Sequence, residues 1–185
     1  MKIVTIIPAL AAGLLCFAQA PIAAPPAMGP GPESTLPYLP SRPLVAGIES
    51  AFESKLKALD PKDPVNLLGA TAGVYVKGVG MFFTTPMDLV ITPQLTPFHT
   101  VITPAEKSAT HAQKQSHLPL LKKALADAVA ESTAKLPPLP PGERVVFAAR
   151  LYYFEWEDKA GLPSQIVASA DRDSALARSV QVDEQ

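Results

Sequence analysis

The sequence predicts an α+β domain: a mostly antiparallel sheet built from two β-hairpins, in the order α-ββ-α-ββ, with one or two packed helices. Residues 72–84 and 144–170 are each rich in β-branched and aromatic residues around a turn, which is typical of hairpins. Residues 44–59 and 116–135 repeat apolar side chains at three- and four-residue steps, which indicates amphipathic helices. Hairpins interleaved with helices favour a helical layer on an antiparallel sheet.

The first twenty residues have the three parts of a secretory signal peptide. Lys2 is followed by an apolar run to Ala18 and then by small residues. We therefore predict a signal peptide over residues 1–20 and an exported protein, periplasmic or extracellular. The run is shorter than the about 20 residues that a membrane span needs, so no integral membrane domain is expected after cleavage. Retention of this segment, or lipidation of Cys16, would instead anchor the chain to a membrane.

The remaining chain divides into a spacer, one domain and a tail. Residues 21–43 are rich in proline, which lacks an amide hydrogen and fixes φ, so they are expected to form a disordered spacer. Residues 44–180 suffice for a single α+β domain of about 140 residues. Residues 181–185 are expected to be a polar tail.

Composition and motifs argue against several classes of function. The formal net charge of −1 gives no support for a nucleic-acid-binding surface. Cys16 is the only cysteine, so no disulfide framework is expected. Phosphate loops, dinucleotide fingerprints and serine nucleophile elbows are absent from the sequence, and no cofactor is expected. His99, His111 and His117 are irregularly spaced, so we expect solvated histidines and no metal site.

The first half of the domain is expected to hold one helix and one hairpin. Asp-Pro pairs stop the helix after residue 59. The hairpin has strands at 72–76 and 79–84, joined at Lys77-Gly78. Pro86 is expected to end or bulge the second strand.

The second half begins with residues 92–115, which show no periodicity and are expected to form a long loop, either disordered or functional. Ser116 then caps a helix with Pro119 in its first turn, where proline is tolerated. Residues 144–158 follow as a continuous apolar strand, which indicates a central position with both faces covered. Residues 164–170 return as its partner, and residues 171–180 are expected to close the domain with a short helix.

The candidate binding surface lies at the end of that strong strand. Tyr152, Phe154 and Trp156 alternate along the strand, above Arg150, and would share one face. Such an aromatic stripe could stack on sugars or on a partner chain. The alternative is that it packs under helix 44–59. Of the three rings, we expect Trp156 to be the most exposed.

Two other functions compete with binding. Glu155 and Glu157 would share the opposite strand face, and paired carboxylates can perform glycosidic acid–base chemistry. Carboxylates at a strand end are more commonly a solvated rim, so no catalytic residue is assigned, and a small exported hydrolase is the alternative. A third hypothesis is a carrier of a small apolar ligand, with a cavity lined by residues such as Met81, Phe83 and Leu125.

The leading hypothesis is a non-catalytic exported module of the bacterial cell envelope. It would act by binding to, or assembling with, an envelope protein partner. The export signal, the proline-rich spacer and the lack of a reactive constellation in the sequence are the observations behind it.

Overall fold

The computed structural model describes residues 38–185, which form three helices and six strands. The predicted signal peptide, Cys16 and most of the spacer lie outside the described residues. Among residues 38–185, no helix has the length and apolar character needed to cross a bilayer. In chain order the elements are α1 (Arg42–Lys57), β1 (Asn66–Leu67), β2 (Ala72–Val76), β3 (Gly80–Asp88), α2 (Pro104–Lys135), β4 (Arg144–Leu151), β5 (Gln165–Ala170), α3 (Arg172–Leu176) and β6 (Gln181–Glu184).

The six strands form one mixed sheet in the order β1-β3-β4-β5-β6, with β2 also paired to β3. All pairings of these described strands are antiparallel except β3–β4, which is parallel. The predicted α+β class with a mostly antiparallel sheet is therefore confirmed. A parallel neighbour requires a crossover connection, and α2 supplies it. Asp88 and Leu151, the last residues of β3 and β4, consequently lie at the same end of the sheet.

Helix α2 is longer than predicted, because it begins at Pro104 rather than Ser116. Thr103 closes a capping box: its hydroxyl accepts from Glu106 N–H at 3.2 Å, while Thr103 N–H donates to the Glu106 carboxylate at 2.7 Å. Residues 104–115, expected in a loop, are helical, and Pro119 lies inside the helix. The hydrophobic pattern did not extend over residues 104–115 because the buried positions of that stretch, Thr110 and Lys114, are polar.

Strand β4 is shorter than predicted, because it ends at Leu151 rather than at residue 158. Residues 152–164 are irregular. Within them, Phe154 N–H donates to the Glu157 carboxylate at 2.9 Å and Glu157 N–H donates to Phe154 O at 3.2 Å. These local hydrogen bonds curl the chain away from the sheet ladder.

Two boundary predictions also change. Residues 181–184, expected to belong to a polar tail, form β6 and pair with β5. Arg42 and Pro43, expected at the end of the spacer, are the first residues of α1, with proline in the first turn, where its missing amide hydrogen costs nothing.

The core lies between the helices and one face of the sheet. Phe83 stacks on Phe147 with ring centres 4.5 Å apart, and Phe52 of α1 meets Phe147 edge-on at 4.8 Å. Residues 145–149 of β4 are all buried, in agreement with the predicted central strand. Leu125 of α2 is also fully buried in this cluster.

Candidate functional site

A cleft of about 220 Å³ opens at the carboxyl ends of β3 and β4. The crevice beyond the carboxyl ends of parallel strands is the usual ligand position in α/β sheets. Here it forms where Asp88 ends β3 and the 152–164 segment leaves β4. The lining residues are Asn66, Leu68, Asp88, Ile91, Thr92, Gln94, Tyr152, Tyr153 and Phe154.

The walls of the cleft are apolar and exposed. Tyr152 and Phe154 are 45% and 40% exposed, and Leu68 and Ile91 are exposed as well. They come from three chain segments, so their convergence is a property of the fold rather than of one local turn. Clustered apolar side chains at a surface are typical of interaction sites.

A buried ion cluster lies beneath these walls. Lys114 of α2 is fully buried, and its Nζ lies 2.7 Å from Asp88 Oδ1 and 2.5 Å from Glu157 Oε2. Both carboxylates are almost fully buried, and the three side chains carry a net charge of −1 when all are ionised. The contacts are within ion-pair distance, yet neither Lys114 Nζ nor Glu157 Oε2 makes a hydrogen bond of standard geometry. The cluster joins the end of β3, helix α2 and the 152–164 segment by charge attraction.

Hydrogen bonds from neutral hydroxyl donors hold the same segments in place. Thr92 Oγ1 donates to Asp88 Oδ2 at 2.7 Å. The Tyr153 hydroxyl donates to Pro163 O at 2.6 Å, and its ring lies 4.8 Å from Lys114 Nζ. Burial, followed by the charges of Glu157 and Asp88, raises the pKa of Tyr153 well above its ordinary value. The phenol therefore stays protonated and keeps this bond.

The four residues of the predicted binding surface lie together, although not on a strand face. Tyr152 and Phe154 form cleft walls. Trp156 is half-buried and stacks on Phe154, with ring centres 6.2 Å apart, so it is not the most exposed of the three. The Arg150 guanidinium lies 5.7 Å from the centre of the Tyr152 ring. Packing under α1, the alternative for this group, is not observed for Tyr152 and Phe154, which face the cleft.

The two carboxylates considered for a hydrolase do not form a pair. Glu155 is exposed in the turn, whereas Glu157 is buried and contacts Lys114. Their expected common face depended on a strand through residue 158, and β4 ends before it.

Sequence reasoning missed Lys114 and Asp88, the two ends of the ion pair. A signal for Lys114 existed: the stripe of Leu118, Leu121 and Leu125, continued backwards at helical spacing, reaches positions 114 and 110. Both positions are buried and polar, so a search for apolar residues passed over them. Asp88 gave no comparable signal.

The histidines differ from the expected solvated set. His117 is buried, with Nδ1 2.7 Å from Leu89 O and Nε2 3.6 Å from the Asp63 carboxylate. His111 lies in α2, with Nδ1 3.0 Å from Asp158 O. Only His99 stays in a loop, 3.4 Å from the Glu106 carboxylate. Within residues 38–185, no group of three or more His, Cys, Asp or Glu residues is placed to hold a metal ion.

Comparison with known proteins gives no relative: no family model, curated protein or solved structure matches this chain.

Proposed function

We propose that this protein is an exported, non-catalytic binding module of the bacterial cell envelope, and that it holds an envelope protein partner in the cleft. The observation that carries the proposal is the convergence of exposed apolar walls on a buried charged floor. Tyr152 and Phe154 supply aromatic walls, and Asp88 lies in the floor. Large aromatic contacts around a desolvated pocket are where protein interfaces concentrate their binding energy.

The size of the cleft suits a side chain inserted by a protein partner. Pockets for drug-sized ligands measure about 300–1,000 Å³, and this cleft measures about 220 Å³. That volume suits one inserted side chain, with the remaining contacts made on the surrounding surface.

Binding is also better supported than either alternative. In a hydrolase, Glu157 would need to reach a substrate, but its carboxylate contacts Lys114 and accepts a bond from Phe154 N–H. For a carrier, Met81, Phe83 and Leu125 would need to line a cavity, but all three are packed in the core.

The test is quantitative recovery of the partner with matched variants. The tagged full chain is purified from native envelopes as wild type, Phe154→Ala and Phe98→Ala, and co-purifying proteins are measured by mass spectrometry. Phe98 is a fully exposed phenylalanine that does not line the cleft, so it controls for loss of an exposed ring.

We expect one stoichiometric partner with wild type and with Phe98→Ala. Its recovery should fall at least about tenfold with Phe154→Ala, as for truncation of a central aromatic contact. Equal recovery by all three proteins, or equal loss in both variants, would contradict the proposal.

A further inference from the structure

We infer that the group which enters the cleft is a cationic side chain, an arginine or lysine of the partner protein. The inference rests on the proposed function and adds the chemistry of the inserted residue. Its first support is charge balance: Asp88 and Glu157 bury two carboxylates against the single cation of Lys114. A buried charge without a counterion is costly, and an incoming cation would complete the balance.

Asp88 is the member of the cluster that faces the cleft. Its Oδ1 contacts Lys114 and accepts from Val90 N–H at 3.5 Å, and its Oδ2 accepts from Thr92 Oγ1. A carboxylate can accept about four hydrogen bonds, so Asp88 retains acceptor capacity for a guanidinium or ammonium group. None of the cleft-lining residues is a lysine or arginine, so no cation of the lining competes for this position.

The walls suit a cation as well as the floor does. Tyrosine and phenylalanine rings attract cations through their negative faces. Two rings of the 152–164 segment already lie near cations. The Arg150 guanidinium lies 5.7 Å from the centre of the Tyr152 ring, and Lys114 Nζ lies 4.8 Å from the centre of the Tyr153 ring. The aliphatic stem of an arginine or lysine can pack along Leu68 and Ile91 while its charged end reaches Asp88.

An anionic or purely apolar residue fits less well. A carboxylate or phosphate would approach Asp88 with like charge, at a cost that grows as water is excluded. An apolar residue would cover the acceptor atoms of Asp88 and supply no donor.

Trp156 provides a direct readout, because it is the only tryptophan of the chain and stacks on Phe154 at the cleft wall. The purified full-length protein is titrated with two blocked pentapeptides that differ only in the central residue, arginine or citrulline. Citrulline keeps the shape and most donors of arginine without its charge. Free arginine is titrated in a third series.

We expect the arginine peptide to change Trp156 fluorescence saturably and to bind at least about tenfold more tightly than the citrulline peptide, as one cation–π contact plus one ion pair implies. The preference should shrink several-fold in Asp88→Asn and persist in Asp183→Asn, which removes a carboxylate in β6 instead. Tyr152→Leu keeps an apolar wall but lacks the ring, and it should also weaken the preference. This exposed position keeps the test valid if Asp88→Asn fails to fold.

Equal binding of the arginine and citrulline peptides would overturn the inference while leaving the cleft as a binding site. Free arginine binding as tightly as the peptide would overturn the assignment to a protein side chain. No change in Trp156 fluorescence with any probe would also overturn the inference, and the recovery experiment with Phe154→Ala would still judge the proposed function separately.

Discussion

The two ends of the β3–β4 pair each bury a carboxylate beside a tyrosine, but the surroundings differ. At the carboxyl end, Asp88 contacts the buried cation of Lys114. At the amino end, Glu143 Oε1 accepts from the Tyr75 hydroxyl at 2.9 Å and from Gly78 N–H at 2.8 Å, both neutral donors. The first carboxylate contacts a buried cation as well as the Thr92 hydroxyl, whereas the second is held by neutral hydrogen-bond donors.

The two ends also differ in what covers their aromatic residues. At the amino end, the ring of Tyr38 lies 4.9 Å from the Tyr75 ring, and its hydroxyl donates to Pro137 O at 3.2 Å. Tyr38 of the same chain thus covers the ring of Tyr75. At the carboxyl end, Tyr152 and Phe154 remain exposed. Similar residues therefore serve as an internal contact at one end and as an open surface at the other, and we place the binding site at the open end.

The largest effect is expected from removal of the buried cation. Lys114→Met leaves Asp88 and Glu157 buried without a counterion, which costs about 3–5 kcal/mol of unfolding free energy. Urea unfolding followed by circular dichroism measures this change. The triple variant with Asp88→Asn and Glu157→Gln removes the charges as well, and we expect it to recover most of the loss. If Lys114→Met alone were as stable as wild type, the cluster would not be held by charge.

A smaller effect is expected at the amino end. Glu143→Gln keeps an acceptor for Tyr75 and Gly78 but weakens the two bonds, because bonds to charged groups are the stronger ones. We expect a loss of about 1–2 kcal/mol by the same urea experiment. Glu155→Gln, at an exposed glutamate, serves as control and should change stability by less than about 0.5 kcal/mol. A loss at Glu143 as large as that at Lys114 would remove the distinction between the two ends.

Alkaline titration compares the two tyrosines. Burial raises the pKa of both, with a further rise for Tyr153 from the charges of Glu157 and Asp88 and for Tyr75 from its hydrogen bond to Glu143. A raised folded-state pKa contributes stability that is complete below the ordinary value of 10.0 and is lost as pH rises through the folded value.

We therefore expect unfolding free energy to fall above about pH 10, and Tyr153→Phe to flatten this fall more than Tyr75→Phe. Lysines ordinarily titrate in the same pH range. Their contribution cancels when the unfolding free energy of each variant is compared with that of wild type at the same pH. An unchanged slope in Tyr153→Phe would contradict the burial of its phenol.

Sequence reasoning recovered the parts of the fold that local pattern determines. The first hairpin was predicted at 72–76 and 79–84, close to β2 and β3, because strand formers flank a glycine turn. The parallel pairing of β3 with β4 was missed, because the choice of neighbour across a crossover is made by packing rather than by local pattern. The start of α2 was missed because Lys114 is a polar residue at a buried position.

The candidate site was predicted only in part. Tyr152, Phe154, Trp156 and Arg150 were selected by residue type, and they do lie close together. The predicted geometry was wrong, since β4 ends at Leu151 and the segment after it turns so that Glu157 contacts Lys114. Local hydrogen bonds between Phe154 and Glu157 close that turn, and the contact of Glu157 with Lys114 of α2 adds a partner that no local pattern contains.

Site-specific photo-crosslinking in intact cells tests directly whether the partner binds at the cleft. A photoreactive phenylalanine analogue replaces Tyr152 at the open end or Tyr75 at the covered end, and the adducts are identified by mass spectrometry. We expect a discrete protein adduct from position 152 and none from position 75. Adducts from position 75 alone, or equal adducts from both, would contradict the assignment of the binding site to the cleft.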